Sequence, residues 1–223
     1  GPRINAAGRL SDARKAFDLL ITEDQKTAQS LAFELNELNR RRQKEEQQVL
    51  EEALCLLEKG GSSLGNVIVV AGTDWHAGVI GIVASRISSL FSRPAIVISL
   101  LDGTGIGSGR SVPGVDLHAA VSRVSEHLND FGGHKMAIGL SIDDSRVLSF
   151  ANALDRVLVS RDERPRSFEV DLKISPLDIT PVFLDELEML APFGEGNPEP
   201  VFMIPSMEVV SAKNFARGQC KLV

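Results

Sequence analysis

Residues 67–99 read VIVVAGTDWHAGVIGIVASRISSLFSRPAIVIS, and this stretch decides the fold. Two apolar runs, 67–71 (VIVVA) and 95–99 (AIVIS), are too short for helices and read as buried strands. Between them Val79, Ile80, Val83, Ala84, Ile87 and Leu90 recur at helical spacing, and Thr73 and Asp74 can cap that helix. Asp74, Trp75 and His76 read as capping and packing residues rather than as a site. A strand, a helix and a strand in succession predict an α/β architecture.

The pattern continues downstream. Residues 105–110 (GIGSGR) read as a glycine-rich third strand, and Asp116 caps a helix over 117–128. Gly132, Gly133 and His134 place an imidazole on an exposed turn before a half-buried strand carrying Met136, Ile138, Leu140 and Ile142. Asp143 and Asp144 open a helix to about 159, and the polar run 160–167 (SRDERPRS) reads as a linker. Beyond it, 168–174 alternates as a strand. Thr180-Pro181 opens a helix to 190, 192–200 (PFGEGNPEP) is a rigid turn region, and 201–204 and 207–210 read as strands.

Upstream, 1–10 (GPRINAAGRL) combines turn residues with small ones, and Ser11 can cap a short helix over 12–20. Thr22 with Gln25 is a capping-box pattern, opening a helix that runs to about 59 and ends at Gly60-Gly61. Its apolar stripe (Ala28, Leu31, Leu35, Leu38, then Val49, Ala53, Leu56) is broken by the polar run 39–48. At 1.5 Å per residue such a helix is roughly 55 Å long, a connector packed at both ends and solvated in its middle. The polar gap argues against a coiled-coil seam. An opening residue other than Met and an end inside a strand-like run read as a segment of a larger protein.

The 223 residues carry 24 Lys+Arg against 30 Asp+Glu, a net charge of −6, with 43% hydrophobic residues, which excludes disordered and collagen-like classes. Residues 143–200 hold 13 acidic and 6 basic residues, a balance of −7, leaving +1 for the rest. An anion-binding region is therefore compatible with the net charge. No run approaches a membrane span, and no signal segment precedes the first helix. Cys55 and Cys220 lack metal or disulfide spacing, so a reducing cytoplasm is the expected compartment.

Three stretches can carry chemistry. In 103–111 (GTGIGSGRS) glycines at alternate positions let a ligand approach the backbone. Ser108 and Ser111 offer hydroxyls, and Arg110 offers a fork that matches a phosphate. The same run can be a plain hairpin with an exposed arginine. His134 after two glycines can donate to a phosphate oxygen or assist proton transfer, or be an ordinary surface histidine. Arg3 and Arg9 flank small residues and can line one groove, or make surface ion pairs. A two-metal cluster, a P-loop, a nucleophile elbow and an aromatic stacking platform are all missing from the sequence.

Together, GPRINAAGRL (1–10), WHAGVIGIVASRI (75–87), SRPAIVI (92–98), GSGRS (107–111), FGGHKMAIGL (131–140) and PFGEGNPEPVF (192–202) resemble the RecJ family. These are single-stranded-DNA-specific exonucleases within the DHH/DHHA1 phosphoesterases. The resemblance implies an α/β DHHA1-type domain over 61–159, preceded by the tail of a DHH catalytic domain (1–10) and interdomain helices (11–60). An OB-fold-like β domain would begin over 167–223. It further implies 5′→3′ hydrolysis of single-stranded DNA that releases 5′-mononucleotides in DNA repair and recombination. Two Mn²⁺ or Mg²⁺ ions would be held by a DHH domain whose motif is absent here, so the chain alone would not hydrolyse. By position, Arg3 would approach a phosphate near the metals, and Ser108 and Arg110 would hold the 5′-terminal phosphate or its neighbour. His134 would face the scissile region as the catalytic residue, Gly132 and Gly133 would bind substrate beside it, and Arg9 is the weaker carry-over. A monomer binding 5′-phosphorylated single strands is expected, with a single-strand-binding protein or helicase as partner. A phosphodiesterase for short oligonucleotides or linear dinucleotides, and a non-catalytic replication scaffold, are the alternatives.

Overall fold

A computed structural model describes residues 1–59, 65–158, 169–194, 196–215 and 219–222, and divides the chain into two units, Gly1–Arg161 and Asp162–Val223. The linker expected over 160–167 and the helix stop at Gly60-Gly61 lie outside the described residues.

The first unit opens with three helices, α1 (Pro2–Leu10), α2 (Arg14–Ile21) and α3 (Gln25–Lys59). The turn-like reading of 1–10 is corrected: with Pro2 at its start, where a missing N–H costs nothing, the segment is helical and buries Ala6 and Ala7. The caps differ too. Ala13, not Ser11, precedes α2, and Asp24, not Thr22, caps α3, its carboxylate accepting from the Thr27 N–H at 2.8 Å. A bond from the Thr27 hydroxyl, together with that one, holds the Asp24 carboxyl below its ordinary pKa.

The polar middle of α3 is not wholly solvated. Glu46 is buried, bonded to Arg42 on its own helix and to Arg86 Nε at 3.0 Å on the next. A buried carboxylate is tolerated because both its oxygens meet guanidinium groups. Six residues on, Glu52 accepts a 2.7 Å bond from the indole of Trp75. The bond from Gln48, then that from Trp75, hold Glu52 below its ordinary pKa. The charged middle of α3 is thus half of its seam with the α/β layer.

That layer is a five-stranded sheet of order β1-β2-β3-β5-β4. It comprises β1 (Ile68–Thr73), β2 (Ala95–Leu101), β3 (Thr104–Arg110), β4 (Asp130–His134) and β5 (Ala137–Asp143). Strands β1 and β2 run parallel around the crossover helix α4 (Ala77–Phe91), and the other pairs are antiparallel. His76, rather than Thr73 or Asp74, caps α4, its Nδ1 accepting from the Gly78 N–H at 3.0 Å. Trp75 is buried, and the structural reading of this triplet holds. One sheet face packs on α4 and the second half of α3 through Ile68, Val70, Ala95, Val97, Val79 and Val83. The other packs on α5 (Leu117–Ser122) and α6 (Val147–Val157) through Ile98, Leu140, Ile142, Phe150 and Leu154. Asp116 caps α5 as expected, accepting from the Ala119 N–H at 2.9 Å, but α5 is shorter than the sequence suggests.

In the second unit α7 (Pro181–Glu188) has Thr180 as its cap and Pro181 at its first position. Strand β6 (Leu172–Lys173) pairs in parallel with β7 (Phe202–Met203), far shorter than the expected 168–174 strand. The strand expected over 207–210 is absent from those residues; β8 (Ala212–Phe215) pairs instead with β9 (Gln219–Leu222).

Candidate phosphate- and nucleic-acid-binding face

Register decides which residues share a side of the sheet. Directly paired residues project to the same face. Across β3, β5 and β4, Arg110 pairs with Ala137 and Ala137 with His134. Two residues along, Ser108 pairs with Gly139 and Gly139 with Gly132; next come Ile106, Ser141 and Asp130. All these residues lie on the face that carries α4. At ~4.8 Å between strands, Arg110 and His134 stand roughly 10 Å apart at the backbone.

Beyond β3, no side chain among the described residues covers the two glycines of this face. A Cβ placed on Gly132 or on Gly139 would meet nothing within 4 Å, and both glycines are exposed. Ile106, 58% exposed, adds an apolar spot beside them. The result is a shelf of strand backbone with few side chains, edged by Ser108 and Arg110 on one side and His134 on the other.

The alternate glycines of β3 serve a different purpose from the one the sequence suggests. A Cβ on Gly105, Gly107 or Gly109 would meet Ile98 at 2.8 Å, Leu140 at 2.7 Å or Ile138 at 2.6 Å. These glycines face the core and leave room for large side chains, not for a ligand. Gly133 is likewise conformational: its φ is +135°, and a Cβ would strike the Ala137 carbonyl. The exposed turn expected at 132–134 is in fact the edge strand β4.

Arg110 is half-buried and donates from Nη1 to Ser108 Oγ at 3.0 Å and to the Gly109 carbonyl at 2.7 Å. Burial, then the charge of Arg9, lower its pKa from the ordinary arginine value. A guanidinium so placed remains charged and gains most from an anion that replaces lost hydration. Arg9 donates to the Gly78 carbonyl at 3.2 Å, while Arg3 donates to Asn36 of α3. The two arginines of 1–10 therefore do not share a partner: Arg9 joins Arg110 near α4, and Arg3 turns to α3. Among the described residues none of the three has a carboxylate partner. His134 is exposed, and its Nδ1 accepts from the Met136 N–H at 3.3 Å. The neutral ring then carries its proton on Nε2, a donor available to an anion. Gly139 escaped the sequence reading, because only the β5 register places it beside Ser108. Gly81, which accommodates Arg110 on α4, escaped for the same reason.

Among the described residues no group of three His, Cys, Asp or Glu could hold a metal ion. The side chains of the shelf are cationic or neutral, apart from Asp130, and do not form a metal centre.

The DHHA1 domain model matches residues 64–160 and the RecJ OB domain model matches 170–223. The chain therefore joins a DHHA1 domain to an OB domain. It belongs to the RecJ family. It is 39% identical over 209 residues to the single-stranded-DNA-specific exonuclease RecJ of Bacillus subtilis, covering 91% of this chain and 26% of that protein. With Escherichia coli RecJ the identity is 37%, covering 91% of this chain and 37% of that one. The crystal structure of Thermus thermophilus RecJ in complex with Mn²⁺ superposes with a TM-score of 0.83 at 33% identity, covering all of this chain and 33% of that one. The Mg²⁺ complex gives 0.78 at 36%, covering 90% and 31%. The chain thus spans roughly a quarter to a third of the length of these relatives.

Proposed function

We propose that this chain supplies the substrate-phosphate and single-strand grip of a metal-dependent 5′→3′ exonuclease acting on single-stranded DNA. The observation that carries the reading is the bare shelf of Gly132 and Gly139 flanked by Arg110, Ser108 and His134. Residues 1–10 and 11–60 serve as the approach from a DHH domain, and 167–223 as part of an OB-fold domain. Family membership, through relatives named single-stranded-DNA-specific exonucleases, supports the substrate class.

Arg110 and Ser108 hold the 5′-terminal phosphate, Arg110 forking onto two oxygens. The following sugar lies on the glycine shelf, where a Cβ would exclude it. His134 donates from Nε2 to a phosphate oxygen at the scissile position and offsets charge that develops there. Arg9 approaches the phosphate held by Arg110, and Arg3 approaches a phosphate near the metals. Relatives solved with Mg²⁺ and Mn²⁺ support hydrolysis by a metal-activated water, with metal ligands lying outside this chain.

Anisotropy titrations of this chain against 5′-phosphorylated ligands test the reading: a dinucleotide, a ~12-nucleotide single strand and a duplex, at several salt concentrations. The single strand should bind tightest, with an affinity that falls as salt rises and drops when the 5′ phosphate is removed. Dinucleotide binding with no gain from length would replace it with the short-oligonucleotide phosphodiesterase. Indifference to the 5′ phosphate would remove the role of Arg110.

A further inference from the structure

Helix α1 and strand β3 reach the same side of α4 from different directions. Gly78 and Gly81 lie one turn apart on α4 and share a face. At Gly78 the Arg9 carbonyl occupies the space a Cβ would need, and Arg9 Nη1 donates to the Gly78 carbonyl at 3.2 Å. At Gly81 a Cβ would lie 3.0 Å from both Arg110 Nη2 and Ser108 Oγ. Two guanidinium groups, one from the last turn of α1 and one from the end of β3, are thus seated on consecutive turns of a third element. Neither has a carboxylate partner among the described residues. Burial first, and the like charge of Arg9 second, lower the Arg110 pKa from the ordinary arginine value. Like charges on two elements work against the seam that brings those elements together.

We propose that a phosphate bound between Arg9 and Arg110 is the latch that seats α1 on α4. The inference rests on the phosphate-binding reading above and adds a coupling to it. Without an anion the pair opposes the seated arrangement; with one, both guanidinium groups point at a shared negative charge and the seam tightens. The two glycines are the device that permits it, because side chains at 78 and 81 would push α1 and Arg110 away. Since α1 is part of the segment that precedes the DHHA1 domain, occupancy of the phosphate site would fix the geometry between that segment and the sheet.

Linkage makes this measurable. A ligand that needs the seated state slows its opening by a factor of 1 + [L]/Kd. Amide hydrogen exchange is followed across the chain with and without 5′-phosphorylated dodecathymidylate. At ten times Kd, exchange in the last turn of α1 should slow about tenfold, while α6 stays unchanged. Ser108→Ala should weaken binding yet preserve the slowing at the same multiple of its own Kd. Arg9→Gln should bind through Arg110 and Ser108 with the slowing lost. Binding without slowing in the wild type, or equal slowing in Arg9→Gln, overturns the latch and leaves the phosphate site standing. No binding at all overturns both. If Arg9→Gln leaves α1 unprotected from the outset, the wild-type and Ser108→Ala arms decide.

Discussion

Two groups of glycines occupy one sheet for opposite reasons. Gly105, Gly107 and Gly109 of β3 point at Ile98, Leu140 and Ile138, within 2.8 Å of any Cβ that replaced their hydrogens. Gly132 and Gly139, on β4 and β5, point at open space. The first group makes room for the protein's own core, and the second leaves room for something outside it. A glycine-rich motif therefore does not name its function. The face that each glycine presents does, and that face is set by the strand register.

The contrast can be broken from either side. The largest effect belongs to the core set: Gly107→Val should cost about 3 kcal/mol in urea unfolding, because the added methyls overlap Leu140. A midpoint equal to the wild type's would mean that this face is not packed as described. Gly133→Ala should cost about 2 kcal/mol, since its φ of +135° is strained for any side chain. On the shelf side, Arg110→Gln should weaken 5′-phosphorylated single-strand binding by roughly 10–100-fold, the value of a charge-assisted hydrogen bond. Its melting temperature should stay near the wild type's, and a parallel loss of stability would make Arg110 a structural residue. Smallest is the α3 seam, where Trp75→Phe should lose about 1 kcal/mol with its bond to Glu52. Because Glu52 titrates below its ordinary value when folded, its contribution is present above the ordinary carboxylate range and fades as pH falls through the folded value. The stability gap between wild type and Glu52→Gln should therefore close as pH falls through the ordinary carboxylate range and below it. A gap independent of pH would show that the carboxylate charge contributes nothing.

The fold was legible because apolar runs of strand length alternate with helical periodicity from 67 to 142, and those patterns are local. Helix α3 was legible for the same reason, although the role of its polar middle was not. Arg42, Glu46 and Glu52 look like a solvated face until Arg86 and Trp75, distant in sequence, are brought against them. The candidate site residues were chosen by chemical type, and Arg110, Ser108 and His134 do share a face. Their grouping with Gly139 and Gly81 was invisible, since it depends on pairings across β3, β5 and α4. The separation of Arg3 from Arg9 was hidden likewise. On a helix, six positions place Arg3 and Arg9 on different sides of the axis, so they meet different neighbours, whereas the turn-like reading let both line one groove.

The central claim is that the bare face of β3, β5 and β4 receives the nucleic acid. The most direct measurement is an anisotropy titration of Gly139→Val with a 5′-phosphorylated ~12-nucleotide single strand, alongside its thermal unfolding. Valine suits a strand and meets no neighbour there, so the melting temperature should hold or rise while affinity falls at least tenfold. Unchanged affinity in a folded Gly139→Val protein would contradict the claim and move the nucleic acid to another surface.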